Sequence, residues 1–333
     1  MKSGSNLERV LTAGHFAVTA ELGPPMDCDA DAVLEKAKIL KGAADAYNIT
    51  DNQTAVVRMS SIAAAVLIAG EGLEPVMQMT CRDRNRLAIQ SDVLGAAALG
   101  IKNCLCIAGD HQSFGSAGRL KGHPGAKNVY DVDSIQLVSI LKGMRDEGQQ
   151  QGGDPIAVRP PLLIGAAWTP MGDPVEFRPI RLKKKVEAGA DFIQTQGIYD
   201  VGQFEEQMNI VRGMGLHERT AILAGIIVPK SLGMLKYMRS AVAGVSVPDE
   251  LMERMSAAKK AAGDDKKQAR RNQEEEGITI TVELIEQVRN IPGVKGVHIQ
   301  AIEWERKVPE IVERAGLMPR PDVEQEKNAP DEA

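Results

Sequence analysis

Three polar residues stand where apolar runs stop: Glu21 after FAVTA, Asp110 after NCLCIAG and Gln196 after DFIQT. Two carboxylates and an amide in such places could move a proton, anchor N–H groups and bind an edge of mixed donors and acceptors. Other strand-end groups join them: Thr50, Asp51 and Asn52; Gln78, Thr80 and Cys81; His111; Trp168; Gln194 and Thr195; and Gln300. The lining is rich in amides and hydroxyls, with hardly a base and no obvious phosphate-cradling glycines. It suits a planar, hydrogen-bonding heterocycle better than a bare phosphate or a metal. Paired acids could also form a glycosidase couple, but aromatics are only 3% of the chain, too few for sugar stacking. Each residue alone also has a structural reading. Glu21 could cap the turn before Pro24, Asp110 the loop that follows it, and Gln196 could satisfy strand-end backbone. Their shared position at the ends of three strands favours the functional reading.

Such residues must be held by a repeating scaffold. Short apolar runs occupy 16–21, 45–49, 75–80, 103–108, 161–166, 191–195, 220–226 and 295–299. Amphipathic stretches lie between them at 29–42, 58–70, 84–99, 133–147, 178–188, 202–213 and 231–240, then at 248–262 and 279–290. Alternation of strand and helix predicts parallel pairing through right-handed crossovers, and eight units predict closure. The expected fold is therefore α/β: a single (β/α)8 TIM-type barrel over 1–318 with extra helices near the C-terminus, then a flexible acidic tail over 319–333. A doubly wound sheet would want GxGxxG after the first strand, where this chain has ELGPPMDC. In a barrel, catalytic groups gather where strands end. The Gly-rich loop at 111–130 is expected on that side, with a functional part. The charged stretch at 263–277 is expected as a solvated outer helix or loop.

Composition excludes several classes. A net charge of −5 gives no strongly basic face, so nucleic acid is not an expected partner. No run of about 18 apolar residues predicts a membrane span, and the N-terminal stretch lacks a signal-peptide core. A cytoplasmic protein is expected. Four cysteines include no CxxC pair; Cys104 and Cys106 fall on one strand face as small core residues, and no metal site is nominated.

Several motifs, in order and spacing, carry a resemblance: VTAELGPP (18–25), ITDNQTAVVRMSS (49–61), PVMQMTCRDRNR (75–86), Gly109–Asp110, LKKKVEAGADFIQTQGIYD (182–200) and AGI followed by Pro229. Over about residues 7–317 the chain resembles the methylenetetrahydrofolate reductase family. The resemblance implies a barrel holding flavin, usually FAD with FMN as the variant, that reduces 5,10-methylenetetrahydrofolate to 5-methyltetrahydrofolate. It implies Glu21 as general acid, Asp110 as the acid that binds the pterin and influences the flavin, and Gln196 as the pterin amide. Thr50, Gln78, Asp110 and Lys185 fall at flavin-contacting positions, and Trp168 where the family lines the cofactor pocket. Leu232 falls near the substrate and nicotinamide position.

Gln78 stands where many relatives carry His, Gly197 and Ile198 where they carry aromatics, and Leu232 where an aromatic stacks nicotinamide. These departures bear on the electron donor, which could be NADH, NADPH, ferredoxin or a partner flavoprotein. A homo-oligomer or a partner subunit fits equally. Two other functions are compatible with the residues: a folate-dependent methyltransferase, and a flavin-carrying subunit of a larger electron-transfer complex with no activity alone.

The assigned chemistry needs these residue types. Opening the substrate's five-membered ring leaves negative character on nitrogen, so a proton donor is required. Glu21, beside Leu22 and Pro24, has the apolar setting that keeps a carboxylic acid protonated. An ionised Asp110 could accept a pterin's adjacent amino and ring N–H groups and stabilise a developing iminium cation.

Overall fold

The computed structural model describes residues 1–113 and 122–323. Eight strands follow one another around a closed, all-parallel barrel. They are β1 (Ala17–Leu22), β2 (Ala46–Ile49), β3 (Pro75–Thr80), β4 (Asn103–Ile107), β5 (Leu163–Trp168), β6 (Phe192–Gly197), β7 (Ala221–Ile227) and β8 (Val294–Gln300). The expected TIM-type architecture is what is observed. The fifth strand starts two residues later than its apolar run, because Pro160 and Pro161 have no N–H to give a parallel ladder.

Helices α1 (Asn6–Thr12), α2 (Ala30–Leu40), α3 (Ser61–Gly70), α4 (Arg86–Ala98), α5 (Ser134–Lys142), α6 (Arg178–Ala188), α7 (Val201–Gly213), α8 (Leu232–Ala241), α9 (Asp249–Lys260), α10 (Lys266–Arg289) and α11 (Val308–Arg314) surround the barrel. Side-chain caps start most of them: Asp29, Ser60, Asn85, Asp133, Asp200, Ser231 and Asp265 each accept first-turn N–H groups. No helix among the described residues is long and apolar enough to cross a membrane.

Strand register fixes which side chains enter the barrel, since neighbours in a parallel ladder share a face. Glu21 pairs with Asn48, Gln78 with Leu105, Ala167 with Gln194, and Gly225 with His298. The floor of the barrel is apolar: Ala17, Ala46, Val76, Leu105, Leu163, Phe192 and Leu223, closed from below by Leu7 and Val10 of α1. Gly165 makes room for Phe192, whose ring would lie 2.2 Å from any added Cβ. Above the floor sits a polar layer. Asn48 and Gln194 exchange amide hydrogen bonds across the barrel (2.6 and 3.1 Å), Gln194 also donates to Thr19 (3.0 Å), and Thr19 meets His298 (3.0 Å). Burial holds the imidazole of His298 down to about 3, so it is neutral. Cys104 and Cys106 point the other way, buried between sheet and helices as their spacing implied.

Two expectations about the C-terminal third change. The charged stretch at 263–277 is exposed for the most part, but it is the first half of the 24-residue α10 rather than a separate element. Gly277 lies against the Pro229 carbonyl beyond the end of β7, where an added Cβ would sit 1.9 Å from that oxygen. The eleven residues before it add about 16 Å of helix N-terminal to this contact. The boundary of the tail also moves. Arg320 pairs with buried Asp45 (2.6 Å) and donates to the Phe16 carbonyl (2.8 Å), and Val323 joins the barrel floor. Residues through 323 thus belong to the folded body, and 324–333 lie outside the described residues, as does 114–121 of the long loop.

Candidate active site

Glu21 is carried into the barrel by β1, whose next residues leave in the turn Leu22–Gly23–Pro24–Pro25. It is half-buried, and its carboxyl makes no hydrogen bond to any described residue. Burial pushes this acid up to about 7; the nearby carboxylate of Glu305 adds to the rise, while Lys36 and Arg58 oppose it. Close to half of such groups hold a proton at neutral pH, which is the condition for a general acid.

The exits of β2, β3 and β4 are tied into one unit by buried charge. Asp51 accepts the N–H and hydroxyl of Thr80 (both 2.9 Å) and both terminal nitrogens of Arg84, the closer at 2.5 Å. Arg82 grips Asp83 through two nitrogens and reaches the carbonyls of Asp110 (3.0 Å) and Asn52 (3.1 Å). The loop after β2 turns through left-handed backbone at Asn52, Thr54 and Ala55 (φ 48°, 57° and 57°). That turn aims the Thr54 N–H at the Asp110 carboxylate, 2.9 Å away. Gly109, at φ 88° and with Arg82 and Thr80 carbons 3.1 Å from an added Cβ, allows Asp110 to sit there. Asp110 keeps one carboxylate oxygen without a partner among the described residues. Thr50 lies inward, bonded to Gln53 (2.8 Å), and the inward amide of Gln78 has no hydrogen-bond partner there.

Gln196 is positioned by a bulge. Gln194 pairs with Leu223 and Gly197 with Gly225, so β6 carries one residue more than β7 between them. Bulges commonly re-aim a side chain next to a site. Here Thr195 is anchored by donating to the Gln196 carbonyl and accepting from Gly225 N–H (both 2.8 Å), and the Gln196 amide nitrogen has no partner among the described residues. Only glycine fits at 225, since a Cβ would lie 2.2 Å from the Thr195 carbonyl.

The rim thus brings together Glu21, Thr50, Gln78, Asp110 and Gln196. Three expected site residues stand elsewhere. Trp168 pairs with Thr195 and faces outward; its ring packs 6.4 Å from Phe204 and its N–H meets the Arg178 carbonyl (3.1 Å), so it does not line the mouth. Lys185 comes from α6, behind the sheet, and its ammonium donates to the Ala167 carbonyl. Burial, with Arg181 nearby, lowers it to about 8. Leu232 begins α8 and lines a cleft with α9 and the start of α10; its N–H bonds Gln273 (3.1 Å). Spacing alone could not expose these placements: one residue of register turns Trp168 from inside to outside.

Residues outside the expected set also shape the site. Asp51 and Arg84 were visible as strand-end and post-strand charges, but their pairing is not local. Lys36 on α2 and Glu305 after β8 reach the β1 exit from elements 269 positions apart in the chain. The only signal for Glu305 was a cluster of acids soon after the last strand.

Comparisons with known proteins agree with this layout. The family profile described as methylenetetrahydrofolate reductase matches residues 6–316. Methylenetetrahydrofolate reductase 2 of Schizosaccharomyces pombe is 28% identical over 257 residues, covering 73% of this chain and 36% of the relative. Methylenetetrahydrofolate reductase 2 of Saccharomyces cerevisiae is 27% identical over 270 residues, covering 78% and 38%. The chain therefore spans little more than a third of the length of these relatives. Among solved structures, an uncharacterized protein from Clostridium thermocellum that binds two copies of 5-methyl-5,6,7,8-tetrahydrofolic acid superposes with a TM-score of 0.57 at 12% identity, covering 93% of this chain and 98% of the other. That likeness is one of fold. With the profile spanning nearly its whole length, the chain belongs to the methylenetetrahydrofolate reductase family.

Proposed function

We propose that this chain reduces 5,10-methylenetetrahydrofolate to 5-methyltetrahydrofolate with a bound flavin, FAD in preference to FMN, in the cytoplasm. The observation that carries the reading is Glu21: an acid near neutrality, with no hydrogen-bond partner among the described residues, on the same rim as a Gln78 amide likewise without one there, Asp110 and Gln196. The layer directly beneath satisfies its own amides, whereas Gln78 at the mouth does not. Binding of methyltetrahydrofolate by the Clostridium thermocellum neighbour supports a folate ligand for this fold.

The residues present fit a flavin. Its uracil-like edge needs neutral donors and acceptors, and the partnerless inward amide of Gln78 offers both beside the Thr50 hydroxyl. Asp110 would contribute charge at the same rim, whereas Lys185 lies behind the sheet on the Ala167 carbonyl. When bound, the flavin supplies the hydride. Glu21 gives its proton to the departing ring nitrogen. The free Asp110 oxygen receives pterin N–H groups, and its charge stabilises the iminium form of the substrate. Gln196 donates and accepts along the pterin edge. NADH or a partner electron-transfer protein supplies electrons; the exposed start of α10 is a surface on which such a partner could seat.

The test is Glu21→Gln. Flavin reduction by the donor should persist while folate reduction falls by about 10²–10⁴-fold. Folate reduction at the normal rate would refute the acid assignment. A colourless protein that still bound methyltetrahydrofolate would instead favour a methyltransferase.

A further inference from the structure

The β1 exit turn is held from three directions. Lys36, on α2, places its ammonium 3.0 Å from the Gly23 carbonyl and 2.7 Å from the Glu305 carboxylate. Glu305 opens the 3-10 turn after β8, with a side chain only 11% exposed. Arg58, following β2, donates to the Pro24 carbonyl (3.0 Å), and its own N–H anchors on Asn52 (2.9 Å). The Arg58 Nε is buried without a partner among the described residues. Two cations thus clamp the carbonyls two and three residues beyond Glu21, and one buried anion answers them.

We propose that Glu305 and Lys36 are positioning residues for Glu21: their pair fixes the β1 exit turn, and Glu305 keeps the two cations from drawing the proton off the acid. The charged groups facing Glu21 are Glu305 from the β8 exit, Lys36 from α2 and Arg58 from the β2 exit. Without the anion, two cations would face a half-buried carboxyl and favour its ionised form. Without the lysine, repulsion from Glu305 would favour the protonated form. A purely structural clamp would behave differently, since breaking it from either side would loosen the turn in the same way.

The assignment of Glu21 as acid in folate reduction comes from the proposed function, so the experiment separates the two. The Glu21 carboxyl is titrated directly by its infrared C=O stretch, identified as the band lost in Glu21→Gln, in wild type, Glu305→Gln and Lys36→Met. Folate reduction is followed over the same pH range. Glu305→Gln should move the titration, and the alkaline fall in folate reduction, about one pH unit toward acid, and Lys36→Met a similar distance toward base. Glu305→Asp should restore most of the wild-type midpoint. Two midpoints unmoved, or both moved in one direction, would overturn the proposal. If the infrared midpoints move oppositely but the folate profile does not follow, the pair does position Glu21 and the acid assignment fails instead.

Discussion

Replacing Glu21 by glutamine keeps shape and volume while removing one proton site, so its effect on stability isolates the electrostatic cost of that site. The carboxyl rises from its ordinary 4.5 to about 7 in the folded chain, chiefly through burial. Between those values the unfolded chain has released the proton and the folded chain still holds it, so wild-type stability falls as pH rises. The contribution is fully present below pH 4.5, is lost as pH rises through 7, and is flat above. A rise of about 2.5 units corresponds to about 3.4 kcal/mol at 1.36 kcal/mol per unit. Because the residue is half-buried and solvent screens part of this, about 2 kcal/mol is the working figure. Glu21→Gln lacks this titration. Urea unfolding of both proteins from pH 4.5 to 8.5 should show the variant gaining on wild type up to about pH 7, then a constant margin of about 2 kcal/mol. Other titrating groups cancel in the difference. A margin independent of pH, or one that shrinks as pH rises, would show that the folded chain does not hold this proton.

Gly225→Ala should expel the Thr195 carbonyl from its 2.2 Å approach, costing about 1–3 kcal/mol in urea unfolding and raising the KM for folate more than that for the electron donor. Arg320→Ala leaves Asp45, 1% exposed, without its guanidinium, and thermal and urea unfolding should show a loss of about 3–5 kcal/mol. Asp51→Ala should cost about 1–3 kcal/mol by removing the acceptor of the Thr80 N–H, while Arg84 keeps Asp92 (2.9 Å), and flavin binding should weaken because the β2 and β3 exits part. Trp168→Phe, an outward-facing change, should leave flavin affinity within twofold while lowering stability by about 1 kcal/mol through its lost bond to the Arg178 carbonyl.

Local pattern was enough for the barrel. Period and alternation depend on residues a few positions apart, and eight apolar runs separated by amphipathic stretches leave few ways to bury every strand. The same pattern located Glu21, Asp110 and Gln196 at strand ends, since a polar residue that stops an apolar run is visible in the run itself. Tertiary structure decided the rest, for reasons that no local window contains. Register, set by neighbouring strands, turned Trp168 outward and Gln78 inward. The bulge that aims Gln196 exists because Gly225, on the next strand, lets a carbonyl come close. Burial raises the Glu21 carboxyl, and Glu305, Lys36 and Arg58, which act on it besides, are brought to the β1 exit only by barrel closure. Sequence placed Glu21 at a strand end; the burial and the charges around it are properties of the closed ring.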